Sequence, residues 1–227
     1  MPIPASCFGT PTVLSLDLDG VLFDPMTPTY LAIQQAFDVV IGPDDVTGYD
    51  VASGLLLALN RRYPDGWPRR FRRLRLVDWL KRLWLETPGF MRSAYVHWPI
   101  WAAAHRALAR GLSVHIVSSR FQQGQLVREE TLAALRATGL LRSPGRPSVR
   151  VHSGASRSKL QHLLQLQARC QRRDFHLVHV EDCAAEAEVY SRKGVDVRLI
   201  ERPWNKVASS PRLTESQVAT AIAGMHP

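Results

Sequence analysis

Apolar and polar positions fall along this chain in blocks of two kinds. Short apolar runs at 13–16, 112–117, 149–151, 177–180 and 195–200 read as buried strands. The stretches between them carry helical spacing. Pro99 at a first helical position and Gly111 beyond the end bracket a segment rich in helix formers at 102–109, and further helices are predicted over 122–137, 156–169, 184–192 and 213–223. Residues 143–147 read as a turn-rich connection. Five strands with intervening helices imply a parallel sheet covered on both faces, a doubly wound α/β architecture.

One segment departs from this rhythm. Between Asp24 and His97 there are helical pieces at 29–37, 51–59 and 71–85, the last carrying Trp79, Leu80, Leu83 and Trp84, but no strand–helix unit. A gap of about 70 residues is too long for an ordinary loop. It predicts an inserted helical subdomain at 25–97, with 1–24 and 98–227 forming the core.

Composition narrows the class. In 227 residues, 45% hydrophobic and 22% charged content indicates a folded chain with a substantial core. No apolar run approaches the ~18 residues of a membrane span, and residues 1–12 lack the basic and apolar regions of a signal peptide. A cytoplasmic protein without a membrane partner is expected. Cys7, Cys170 and Cys183 are too few for a disulfide framework, and the eight histidines show no ligand spacing, so both sets read as structural or surface residues. The 29 Lys+Arg exceed the 20 Asp+Glu to give +9, nearly all from arginine, a weak pointer to an anionic partner. Within the insertion, Arg61, Arg62, Tyr63, Trp67, Arg69, Arg70, Phe71, Arg72, Arg73 and Arg75 read either as a solvated helix face or as a surface for a nucleobase or phosphodiester backbone.

Ligands of open parallel sheets collect at the carboxyl ends of the strands. Here the first strand runs into Asp17-Leu18-Asp19-Gly20, the second into Ser118-Ser119-Arg120 and the fourth into Glu181-Asp182, while Lys159 begins the helix after the third. This set suits phosphoryl transfer to water. A carboxylate can attack phosphorus and divide one hard hydrolysis into two displacements. Mg²⁺ prefers oxygen ligands, which Asp17, Asp182 and a backbone carbonyl at Asp19 would supply, with Glu181 beside them. Asp19 would serve as acid and base, Ser118, Ser119 and Arg120 would meet the phosphoryl group or substrate, and Lys159 would offset developing charge. Plainer readings stand beside these. An Asp-x-Asp pair is common in turns, and acids at a helix start also complement its dipole. Lys159 opposes its helix dipole, which marks it as functional and predicts that its removal costs activity without costing stability.

With these residues in place, the segment from Leu14 to Asp24 resembles the first motif of the haloacid dehalogenase (HAD) superfamily, Val117-Ser118 its second, Lys159 its third and Val180-Glu-Asp182 its fourth. The resemblance spans 13–205 outside the insertion. It implies a Rossmann-like core, an Asp17 nucleophile, an Asp19 acid/base, Mg²⁺ and phosphatase activity. The insertion resembles a C1-type cap, which in that superfamily closes over the site and chooses the substrate. Ile200-Glu-Arg-Pro-Trp-Asn205 and the segment Asp45 to Asp50 are similar to the 5′(3′)-deoxyribonucleotidase-like branch, implying a nucleoside monophosphate as the small phosphorylated substrate. The second motif reads Ser118-Ser119-Arg120 where characterised nucleotidases carry Thr-Ser-Pro. The charge keeps a second class open, a polynucleotide 3′-phosphatase or a non-catalytic nucleic-acid-binding protein.

Overall fold

A computed structural model describes residues 10–46, 50–68, 71, 75–90, 94–141, 149–152, 158–205 and 211–227. Six parallel strands form the main sheet in the order β5-β4-β1-β6-β7-β8: β1 (Thr12–Leu16), β4 (Ser113–Val117), β5 (Arg150–His152), β6 (His176–Glu181), β7 (Asp196–Ile200) and β8 (Arg212–Leu213). The strand period of two sorts their side chains onto opposite faces. Leu14, Leu16, Val114, Ile116, Val180 and Ile200 pack with α4 (Trp98–Ala109), α5 (Gln125–Ala137) and α8 (Glu215–Ala223). Val13, Val117 and Leu177 pack on the other face with α6 (Lys159–Gln171) and α7 (Ala184–Arg192). Each fully buried Leu or Ile contributes about 1.5–3 kcal/mol. The α/β class read from the sequence is the observed one.

Two boundaries differ from the sequence reading for local reasons. The last helix begins at Glu215, because extended Thr214 caps it through a capping box with Gln217, and this releases Arg212–Leu213 to pair with Leu199 and Ile200 as a sixth strand. The helix predicted from 122 begins at Gln125, since Gly124 takes a φ of 117° that ends any preceding helix. Ser119–Gln122 instead forms a short 3₁₀ turn capped by Ser118. The turn 143–147 lies outside the described residues.

The helices between Asp24 and Tyr95 form a layer with its own buried cluster. It contains α1 (Met26–Phe37), α2 (Val51–Arg62) and α3 (Leu76–Glu86), where the sequence suggested a helix over 71–85. Phe37 stands 5.2 Å from Phe71 and 4.9 Å from Trp79, centroid to centroid. Asp24 accepts from the amides of Met26 and Thr27 and from Thr27 Oγ1, and Asp50 accepts from Ser53 N, so α1 and α2 both start at aspartates. Entry and exit lie side by side: β2 (Phe23–Asp24) pairs antiparallel with β3 (Tyr95–Val96). Among the described residues, no helix is long and apolar enough to cross a membrane.

Candidate active site

The chain turns sharply where β1 ends. Leu22 and Phe23 donate back to Leu18 O, and Gly20 supplies the φ of 70° that the turn needs. Asp17 and Asp19 therefore leave the sheet end in different directions. Lys159, the first residue of α6, reaches Asp17 with Nζ 2.8 Å from Oδ2. The same ammonium is 2.7 Å from Glu181 Oε2 and 2.7 Å from Glu186 Oε2. Three carboxylates thus share one buried cation.

Glu181 is fully committed. Its Oε1 accepts from the amides of Asp182 and Cys183, and its Oε2 also meets His179 Nε2 at 3.3 Å. His179 Nδ1 lies 3.0 Å from Ser15 Oγ, its register partner across β1 and β6. Although burial favours the neutral acid, Lys159 and His179 outweigh it and hold Glu181 well below the usual carboxylate range. Burial also works against the charge on Lys159, but Asp17, Glu181 and Glu186 hold its ammonium well above the usual lysine range.

Asp17, Glu181 and Asp182 each bring a carboxylate oxygen within 4.8 Å of the others, all buried. Burial pushes Asp17 upward, Lys159 opposes this, and Glu181 and Asp182 add to the push. Asp17 Oδ1 is buried with no hydrogen-bond partner among the described residues. An oxygen-only donor set with an unpartnered carboxylate oxygen and an excess of negative charge fits a hard divalent cation such as Mg²⁺.

Arg120, read from the sequence as a substrate contact, lines the pocket and also meets Asp19. Its Nε lies 2.8 and 2.6 Å from Asp19 Oδ1 and Oδ2, and the guanidinium is buried, so it holds Asp19 as well as lining the pocket. Ser118 is buried, with Oγ accepting from Arg120 N at 3.3 Å, while Ser119 is exposed at the rim. The pocket holds about 160 Å³ and is lined by Asp17, Asp19, Ser119, Arg120, Lys159 and Glu186, with Pro25 and Trp84 closing the side toward the helical layer. Trp84 is fixed by its indole N–H, which donates to Thr29 Oγ1 at 2.8 Å.

Asp17, Asp19, Ser118, Ser119, Arg120, Lys159, Glu181 and Asp182 gather at this end of the sheet. Glu186, Tyr190 and Trp204 join them without having been singled out for a role there. Tyr190 donates to Glu186 Oε2 at 2.6 Å, a pair four residues apart on α7 that helical spacing could have revealed. The histidines are also less scattered than their spacing suggests. His115 Nδ1 and His152 Nε2 are 2.7 Å apart on β4 and β5, and His162 of α6 lies with its ring 5.6 Å from that of His152.

No protein-family model and no curated protein sequence matches the chain. Solved structures do. An archaeal β-phosphoglucomutase from Pyrococcus sp. strain ST04 superposes with a TM-score of 0.54 at 13% identity, over 84% of this chain and 87% of that one. A haloacid dehalogenase-like hydrolase from Streptococcus pneumoniae gives 0.53 at 10% identity, over 94% and 98%. The fold is that of the HAD-like proteins. The HAD-like fold is shared as well by the structure described as protein tyrosine kinase A of Mycobacterium tuberculosis, at a TM-score of 0.53 and 14% identity over 94% and 99%. Similarity at this level gives the HAD-like architecture, and the chemistry must be argued from the site.

Proposed function

We propose that this protein is a HAD-type phosphomonoesterase, dependent on Mg²⁺ and working through an aspartyl-phosphate on Asp17. The observation that carries this reading is the buried Asp17 at the base of the pocket, one oxygen on Lys159 and the other without a hydrogen-bond partner among the described residues. A nucleophile so placed is held by one oxygen and aimed by the other. Asp17 and Asp182, with the Asp19 backbone carbonyl, would hold the cation, which supplies charge neutralisation between the anionic nucleophile and the anionic substrate.

In the first step an Asp17 oxygen bonds to phosphorus while the ester P–O bond breaks, and the leaving alkoxide takes a proton from Asp19. In the second, water attacks the phosphorus and gives its proton to Asp19 as the acyl-phosphate bond breaks, restoring Asp17. Lys159 offsets charge on the nucleophile, and Ser118 and Ser119 stand where phosphoryl oxygens need donors. Arg120 keeps Asp19 on the pocket wall.

The substrate is a small phosphorylated metabolite, and a nucleoside monophosphate fits best. Trp84 and Pro25 offer an apolar wall beside the phosphate-binding end, against which a planar base can rest. Residues 25–97 then act as the cap that selects the substrate. The nucleic-acid alternative would draw on the arginines of this layer, of which Arg75 is exposed and 4.0 Å from Asp78. Arg61 is paired with Asp45 at 3.4 Å and Arg62 with Asp38 at 3.2 Å, while Arg69, Arg70, Arg72 and Arg73 lie outside the described residues. Phosphate release from a panel of phosphate monoesters, with Mg²⁺ and with chelator, tests the reading. Turnover of nucleoside monophosphates that chelation abolishes is expected. Faster turnover of a 3′-phosphorylated oligonucleotide would overturn the substrate assignment, and no turnover of any monoester would overturn the activity.

A further inference from the structure

The turn after β7, Pro203–Asn205, lies outside the set of groups that would touch the substrate, yet it grips Asp182 at two points. Trp204 donates its indole N–H to Asp182 Oδ2 at 2.7 Å. Asn205 Nδ2 donates to the Asp182 backbone carbonyl at 2.8 Å and to Ile200 O at 2.7 Å, while its Oδ1 accepts from Arg202 N at 3.0 Å. Side chain and main chain of one carboxylate residue are thus held by neighbours in sequence. Trp204 is 5% exposed, and its ring belongs to the buried cluster of the helical layer, together with Met26, Ile33 and Phe37.

We infer that Trp204 is a positioning residue for Asp182, setting the carboxylate's rotation for the cation and tying that orientation to the packing of the helical layer. A carboxylate turns about a single bond at little cost. Committing Oδ2 to an indole fixes that rotation, and with it the direction in which Oδ1 points. The indole is itself immobilised by its apolar surroundings. Partners of this kind orient a metal ligand without touching the metal, and their loss typically weakens binding about 10–100-fold. The inference rests on the reading of Asp17 and Asp182 as cation ligands.

The test is titration calorimetry of Mg²⁺ alone into the full chain. Trp204→Phe keeps an aromatic ring in the cluster and removes the N–H. Its Kd for Mg²⁺ should rise by about 10-fold or more. Ile222→Ala, fully buried in a cluster that does not include Trp204, should lower the melting temperature and leave the Kd within about twofold. An unchanged Kd in folded Trp204→Phe overturns the positioning role alone. Absence of Mg²⁺ binding by the unsubstituted protein overturns the reading of the site, and this inference with it. The contact is also read without a variant, in the ¹H–¹⁵N spectrum of the unsubstituted protein. One indole signal should shift on saturation with Mg²⁺ and broaden with Mn²⁺, and indole signals that all stay in place would overturn the proposal.

Discussion

Around Lys159, at the ends of β1 and β6, Asp17, Glu181 and Glu186 crowd one ammonium, whereas on β4 and β5 His115 and His152 face each other as a hydrogen-bonded pair of imidazoles. Both groups lie against the same sheet, with Lys159, Asp17 and Glu181 in one and His115 in the other buried. Burial opposes charge in each, but the outcomes are opposite. At the strand ends Lys159 is held well above its ordinary range by the acids around it and Glu181 well below its own, while burial still pushes Asp17 upward. In the histidine pair burial dominates and neighbouring positive groups add to it, so His115 falls to about 3 and His152 to about 4. Neutral imidazoles satisfy each other at little electrostatic cost. A cluster of acids around one lysine is expensive to fold, which makes it the candidate for function.

The contrast predicts its largest effect at Asp17. Asp17→Asn should fold normally and lose turnover by more than about 10³-fold, because an amide does not attack phosphorus. Assays of phosphate release alongside a thermal melt check this, and substantial activity in the folded variant would break the distinction between the two clusters.

Removing the shared cation should come next. The helix-dipole argument applied to the sequence predicts that loss of Lys159 leaves stability unchanged or slightly higher, but the three carboxylates around it reverse that expectation. Breaking a buried ion pair by deleting one partner costs about 3–5 kcal/mol, or roughly 10 °C in a domain of this size. Lys159→Met should therefore melt well below the unsubstituted protein and, where folded, show a kcat about 10²-fold lower. A normal melting temperature would mean that these acids are protonated or neutralised in some other way.

Lys159 also marks where the sequence ceased to be legible. Asp17, Asp19, Ser118, Lys159 and Asp182 could be found because each lies at a strand end or a helix start, and strand ends follow from apolar runs. The company they keep does not. Ser15 meets His179 only because β1 lies beside β6, a fact of strand order across 164 residues of separation. Arg120 reaches Asp19 from a 3₁₀ turn that precedes the helix and that the sequence reading did not include. In the sequence Trp204 stands only within the 200–205 segment, with no role of its own. Its contact with Asp182 exists because the loop after β7 folds back over the neighbouring strand end. β8 escaped because two residues carry no period. The α/β class was legible from periodicity alone, whereas the charges and hydrogen bonds that tune the site depend on tertiary neighbours.

The histidine side of the contrast is read by acid. His97, His115 and His152 are lowered to about 4, about 3 and about 4, in each case by burial first. The unfolded chain takes up protons on these residues from about pH 6.5 downward, while the folded protein does not until near pH 4. Stability must then fall with pH across that window, by about 2 kcal/mol at pH 5 for an imidazole as buried as His115. Urea midpoints at pH 7.5 and 5.0 measure it. His152→Gln retains a hydrogen-bonding partner for His115 without titrating, so its midpoint should depend less on pH. Asp17, raised by burial, works in the opposite direction, because the folded protein takes up that proton at a higher pH than the unfolded chain does, and this offsets part of the fall. A flat profile between pH 7.5 and 5.0 would show that these imidazoles are charged in the folded protein, and the contrast between the clusters would fail.

The smallest expected effect separates structural burial from functional burial most directly. His162 Nε2 is buried with no hydrogen-bond partner among the described residues, on a helix whose next residue, Leu163, is fully buried. An unpaired buried nitrogen costs stability that an apolar side chain of similar size does not, and leucine is also the better helix former. His162→Leu should therefore raise stability, by up to about 1 kcal/mol or roughly 2–4 °C. Turnover should stay within about twofold, since His162 lies among the residues packed between β5 and α6 and does not line the pocket. Substitution at Asp17 or Lys159 is expected instead to lower activity steeply. A clear fall in melting temperature would show that the imidazole makes a polar interaction worth more than leucine packing. A fall in turnover at unchanged stability would move the histidine cluster to the functional side.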